Sequence, residues 1–275
     1  MGQVLFIVWR ESVEALLVVG ILNAWMNHNP AGRAGKPWLW GGVALGIAMA
    51  IALAVALFTA GSLMAGAQDY FQAGMVFIAA ALIVQMVLWM REHGRTLKKE
   101  LENGLSEKAA SNNWWGVTVL AALAIAREGS ETVVFLYGML AEAGGVELVK
   151  MAGAGAIGLA LAFLTFYVLQ LGGKVLSWRL FFRVTEIMLL LLGASLFLSG
   201  VEKLISMDVL PALVDPLWDS SALLDDMSPF GGVVAALTGY RSHPALTSLL
   251  AYALFWSAIW ALFQWRNRRL AAATA

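Results

Sequence analysis

Cysteine is absent from this 275-residue chain, and with it go disulfides, thiolate metal sites, iron–sulfur clusters and cysteine nucleophiles. Charge is scarce: 18 basic and 18 acidic residues leave a formal net charge of zero. A neutral chain lacks the basic surface that a nucleic-acid partner requires. Histidine occurs three times, as His28, His93 and His243, each at or beyond the end of an apolar stretch. No bis-histidine pair for a haem between helices is therefore expected. What remains is apolar: hydrophobic residues make up 60% of the chain, against about 45–50% in soluble proteins. This composition is that of an integral membrane protein.

A membrane-crossing helix needs about 20 mostly apolar residues. Seven stretches qualify, at roughly 3–26, 38–60, 68–90, 115–140, 149–171, 181–202 and 246–265. The ten-residue alternation of a membrane β-barrel is absent. The first stretch lacks a basic leading segment and carries charges in its middle, so it reads as a retained helix and not a cleaved signal peptide. Basic residues sort by side. Arg33, Lys36, Arg91, Arg95, Lys98, Lys99, Lys108, Lys174, Arg179, Arg183, Arg266, Arg268 and Arg269 share one side, the cytoplasmic one. Only Lys150, Lys203 and Arg241 fall opposite. The N-terminus is thus expected outside and the C-terminus in the cytoplasm. The stretch 204–245 is expected as an acidic exterior loop broken by Pro211, Pro216 and Pro229, and 91–113 as a solvated extension of the third helix.

Two arginines sit inside spans, and each begins the same pattern: Arg10-Glu11-Ser12-Val13-Glu14 and Arg127-Glu128-Gly129-Ser130-Glu131. At about 100° per residue, Arg and its two Glu fall within one arc of about 100°. Spacing of i,i+4 lets Arg10 reach Glu14 and Arg127 reach Glu131. Insertion scales put each mid-helix charge at about 2.5–3.5 kcal/mol. Six unpaired charges would cost on the order of 15–20 kcal/mol, so they must face one another or water. Two Glu per Arg exceed what simple bridging needs, and buried ionisable groups in membranes mark functional sites.

The two motifs lie three spans apart, so their helices run in opposite directions. The expected fold is all-α: one transmembrane domain over residues 1–275 with seven helices. It divides into repeat one at about 1–92, an inverted repeat two at about 114–203, and a seventh helix at 246–265. In such folds the site lies near the midplane between halves. Glu11, Glu14, Glu128 and Glu131, held by Arg10 and Arg127, form an all-oxygen set. Such a set suits hard cations: Ca²⁺, Mg²⁺, Mn²⁺ and, by the same reasoning, ferric iron.

At these residues the sequence resembles the oxidase-dependent iron permease family, which comprises the fungal high-affinity iron permeases and their bacterial Efe-type and Ftr-type relatives. That family has seven spans with R-E-G-x-E motifs in the first and fourth. Arg127 to Glu131 fit in full, while Ser12 replaces the Gly of the first motif. Trp218 to Asp226 and Gly239-Tyr240 also look like the bacterial branch. The resemblance implies a multi-pass permease of the cytoplasmic membrane, not an enzyme, with no permanently bound cofactor. It further implies that the motif glutamates carry Fe³⁺ (or Fe²⁺) and the arginines hold them. An extracytoplasmic ferroxidase, cupredoxin or iron-binding protein would deliver the ion.

Gln72, where bacterial relatives commonly show Glu, is expected with Asp69 as an outer pathway contact, and Glu186 as an inner one. Met75, Met86, Met90 and Met188 read as packing residues, and Gly42-x-x-x-Gly46 as a close helix contact. Alternative readings are a permease or proton-coupled exchanger for another hard cation such as Mn²⁺, and a membrane di-metal enzyme. The enzyme reading is disfavoured because di-iron bundles usually carry Glu-x-x-His pairs, and none is present.

Overall fold

The computed structural model describes residues 2–64, 66–93, 97–111, 113–140, 145–170 and 178–273, so Arg95 and Lys174 lie outside the described residues. Among these, regular structure is helical throughout, with no strand. In order come α1 (Gly2–His28), a 3₁₀ turn (Pro30–Gly35), α2 (Lys36–Leu63), α3 (Gln68–His93), α4 (Leu97–Ala110) and α5 (Trp114–Leu140). They are followed by α6 (Gly145–Gln170), α7 (Trp178–Ser206), α8 (Pro229–Thr238) and α9 (Leu246–Ala273). Five helices (α2, α3, α6, α7 and α9) are long and apolar enough to cross a membrane. Helices α1 and α5 have 27 residues each and carry the ionisable motifs, and this charge lowers their hydropathy. The chain forms two compact units, one mainly of residues 3–65 and 90–183, the other of 66–89 and 184–275.

In the first unit, α2 lies along α5 through small residues one turn apart. A Cβ added at Gly42 would collide with the carbonyl oxygen of Thr118, and one at Gly46 would lie 2.8 Å from that of Ala122. The stripe ends at Ala50, whose Cβ would lie 2.6 Å from a side chain at Gly129, inside the second motif. Thr118 Oγ1 donates to the carbonyl of Trp38 at 2.9 Å, and Phe58 packs edge-on against Tyr137. Because 38, 46, 50 and 58 meet 118, 122, 129 and 137 in rising order, the two helices run parallel.

Helix α6 holds α1 in the same manner. A Cβ at Gly158 would lie 2.7 Å from the carbonyl oxygen of Leu5. Trp9 Nε1 donates to Thr165 Oγ1 at 2.9 Å, and Val13 and Leu17 bury against Ala162 and Leu169. This order is again parallel. Helix α4 is not a solvated extension of α3. Its Leu105 is fully buried with Val18, Leu22, Met26, Leu39 and Val117, and Leu101 packs beside it. These two leucines, four residues apart, give an otherwise charged helix one apolar stripe.

In the second unit, Phe77 of α3 lies over Gly200 of α7 and makes a T-shaped contact with Phe197, with centroids 5.5 Å apart. Phe197 meets Phe255 of α9 at 5.4 Å. The stretch 204–245, expected as a loop, is an ordered structure that includes α8. Ser228 caps this helix by accepting from Gly231 N, with Pro229 in its first turn, and Gly239 ends it at φ 77° in the left-handed region. Tyr240 Oη donates to the carbonyl of Leu224 at 2.9 Å. Arg241 donates to both oxygens of Glu202, 2.8 Å each.

Two aspartates of this segment titrate below the usual carboxylate range. Hydrogen bonds from Ser221 hold Asp219 down, and Ser242 Oγ, donating to Asp226 Oδ1 at 2.6 Å, does the same there.

Two outcomes follow from this packing. Gly46→Leu should destabilise the detergent-solubilised protein by about 1–3 kcal/mol, read as a lowered melting temperature. Gly41→Leu, where an added Cβ meets nothing within 4 Å, should melt as wild type does. Lowered carboxylate pKa values add stability that is present above about pH 4 and lost as pH falls through the lower folded values. Pepsin should therefore spare the 204–245 segment near pH 4 and cut it only at lower pH. In Ser242→Ala the onset of cutting should move upward.

Candidate metal centre

The charged residues of the two motifs come together inside the first unit, between α1 and α5. On α1 the inward face that buries Ile7, Val18 and Leu22 also carries Arg10 and Glu11. Arg10 is 0% exposed. Its Nη1 donates to Glu11 Oε1 at 2.8 Å, and its Nη2 pairs with the carboxylate of Glu14. Met90 Sδ, 2.7 Å from Nη2, closes the same pocket.

The second motif is held more loosely. The Arg127 side chain is 35% exposed; its Nε lies 3.3 Å from Glu131 Oε1 and 4.0 Å from Glu128 Oε1. Both expected i,i+4 pairs are thus present. Gly129 abuts Ala50 of α2, which fixes how α5 presents the glutamates on either side. Ser130 and Thr132 turn their hydroxyls back to the carbonyls of Arg127 and Glu128, so they add no ligand.

Glu11, Glu128 and Glu131 are buried and each offers a carboxylate oxygen, all within 4.8 Å of one another. Glu14 lies outside this triad, tied to Arg10, although within electrostatic reach of Glu131 and Glu128. Like charges this close in a low-dielectric setting repel strongly unless a cation lies among them. Two further facts favour a cation: Glu11 Oε2 and Glu131 Oε2 are buried and accept no hydrogen bond. A buried acceptor left without a donor needs an explanation, and a metal ion supplies one. A small hard cation with oxygen ligands at about 2.1 Å would need only modest side-chain rotations to be held by all three.

The proposed pathway residues are placed elsewhere. Gln72 is buried and Asp69 exposed, both in the second unit, and both meet Lys203 of α7. Lys203 Nζ donates to Gln72 Oε1 and lies 3.5 Å from Asp69 Oδ1. Its sequence signal was weak: one lone lysine near the outer end of a helix. Glu186 is half-buried on α7. Among the described residues no histidine joins the carboxylates: His28 Nδ1 lies 2.8 Å from the Ala24 carbonyl, and His243 pairs with Asp219 at 3.1 Å.

These features accord with what the chain is similar to. Among curated proteins, it is 27% identical over 253 residues to the "Ferrous iron permease EfeU" of Escherichia coli O6:H1, covering 90% of each chain. The protein of the same name from Yersinia pestis is 26% identical over 253 residues, covering 90% of this chain and 88% of that one. The Shigella sonnei protein of that name is 27% identical over 253 residues, with 90% of each chain covered. No solved structure matches. The Iron permease FTR1 family, whose members are transporters and not enzymes, matches residues 1–265. With all but the last ten residues covered by that match, the chain belongs to the Iron permease FTR1 family.

Proposed function

We propose that this protein carries iron inward across the cytoplasmic membrane, with Glu11, Glu128 and Glu131 as ligands midway along the route. One observation carries the reading: two R-E-x-x-E helices bring three buried carboxylates within 4.8 Å. Glu14, locked to Arg10, shapes the charge of the site. Four glutamates and two arginines give a formal charge of −2, which a trivalent ion nearly neutralises. Fe³⁺ supplied by an extracytoplasmic oxidase or iron-binding partner is therefore the first reading. The printed names of the relatives, ferrous permeases, favour Fe²⁺ as the second.

The topology proposed is seven spans, N-terminus outside, with two inverted halves. The parallel courses of α2 with α5, and of α1 with α6, support it, since an alternating chain with α4 outside the bilayer demands them. So does the exchange they embody: the second helix of each half embraces the first helix of the other. The joint packing of Leu105 with the end of α1 and the starts of α2 and α5 supports placing those ends on one side. Gln72, Asp69 and Glu186 stay in the proposal as pathway residues, with Lys203 as a fixed cation beside the first two.

In proteoliposomes, Glu131→Gln and Glu14→Gln should each lower ⁵⁵Fe uptake at least about tenfold while the protein still inserts. Uptake at wild-type level by both would overturn the assignment. Running the assay with iron kept reduced, and again with iron kept oxidised, decides between the two ions. Because the chain has no cysteine, topology can be read from single introduced thiols. A membrane-impermeant maleimide added to whole cells should label Asp219→Cys but not Arg33→Cys; labelling of Arg33→Cys would refute the orientation.

A further inference from the structure

A second feature lies far from any iron ligand in the sequence. In the second unit, α3 and α9 flank an open groove of about 370 Å³ lined by Ala81, Val84, Gln85, Leu88, Trp89, Leu262, Trp265 and Arg266. This volume lies within the range of small-molecule sites. Most of the wall is aliphatic or aromatic, and two polar residues, Gln85 and Arg266, line it. Both helices are long and apolar enough to cross a membrane, so this groove faces hydrocarbon and not water.

Gln85 sits badly in that setting. Its side chain is exposed, and among the described residues its amide has no hydrogen-bond partner. An amide left unsatisfied in hydrocarbon is unfavourable, so a polar ligand atom is called for. Depth says which kind. Gln85 lies about 12 Å from the end of α3 at His93, and Arg266 about 10 Å from the end of α9 at Ala273, at 1.5 Å per residue. Centred on a hydrocarbon core of about 30 Å, helices of 26 and 28 residues overrun it by roughly 5 Å at each end, so both residues lie within about 8 Å of the core boundary, where a long side chain reaches up to the phosphate and ester groups. Tryptophans such as Trp89 and Trp265 belong at the same level. Arg91, two residues beyond Trp89, and Arg268, two beyond Arg266, add basic charge at the same ends of the two helices.

We propose that this groove binds one anionic phospholipid. Arg266 takes its phosphate, Gln85 donates to a phosphate or ester oxygen, and an acyl chain lies along Ala81, Val84, Leu88 and Leu262. Basic pockets between membrane helices on the cytoplasmic side recognise such headgroups. The assignment does not depend on which ion is carried, since it rests on α3 and α9 alone.

Native mass spectrometry of the purified full chain, incubated with phosphatidylglycerol or phosphatidylcholine, tests it. Wild type should retain one phosphatidylglycerol and no phosphatidylcholine. Arg266→Gln should lower its occupancy about fivefold, the worth of one basic side chain at an anionic surface. Gln85→Leu should lower it as well. Both side chains line a groove open to lipid, so neither change opens the core; unaltered size-exclusion profiles verify this. As a second readout, phosphatidylglycerol should raise the melting temperature of wild type and not of Arg266→Gln. Equal retention of the two lipids, or wild-type retention by both variants, would overturn the proposal. So would equal stabilisation by inorganic phosphate, or a dimer that excludes lipid from the groove.

Discussion

Arg10 is wholly enclosed, and a guanidinium shut away from water must find its counter-charges inside the protein. It finds them on its own helix, one residue and four residues onward. That choice settles much else. With Glu11 held by one oxygen, its other oxygen is left without a donor, and with Glu14 held alongside, α1 meets α5 with a single net negative charge. The second motif pairs less completely, since Arg127 is partly open and more distant from Glu128. The glutamates of α5 are thereby the less restrained partners in the cluster. A charge that would be costly alone becomes the fixed side of a site whose other side can adjust.

Such a cluster requires that two helices be held at constant distance, and the apolar effect cannot do this within lipid. Close backbone contact does. Gly42, Gly46 and Ala50 rise one turn at a time along α2 to meet α5, ending against Gly129 between Glu128 and Glu131. The glycine in the second motif is thus a packing position for a neighbouring helix as well as a spacer between carboxylates. On the other flank Gly158 of α6 lets α1 approach to the contact of its backbone at Leu5.

Much of this was legible beforehand. The arc of about 100° shared by Arg, Glu and Glu placed the motifs on single faces, and the Gly42–Gly46 spacing marked a tight contact. Which carboxylates would meet was not legible, because the motif is the same in both helices while their surroundings differ. Only packing shows that, of the two glutamates Arg10 holds, Glu11 lies with Glu128 and Glu131 while Glu14 does not. Lys203 beside Gln72 and Asp69 escaped for a related reason: it is remote in sequence and has no periodic partner. Helix α8 escaped although its signals were present. Ser228-Pro229 opens it and Gly239 closes it, but ten residues among acids and prolines read as loop. Leu101 and Leu105 of α4 were likewise outweighed by the charges around them.

The bond from Trp9 to Thr165 joins residues 156 positions apart. Ribosomes add about 5–20 residues per second, so α1 waits roughly ten to thirty seconds for α6 to exist. During that interval its ionisable residues are without their distant neighbours. Because Arg10 satisfies Glu11 and Glu14 from within the same helix, the wait does not strand three separate charges in lipid. The pairing that shapes the finished site is also what makes α1 tolerable as a newly inserted, solitary segment.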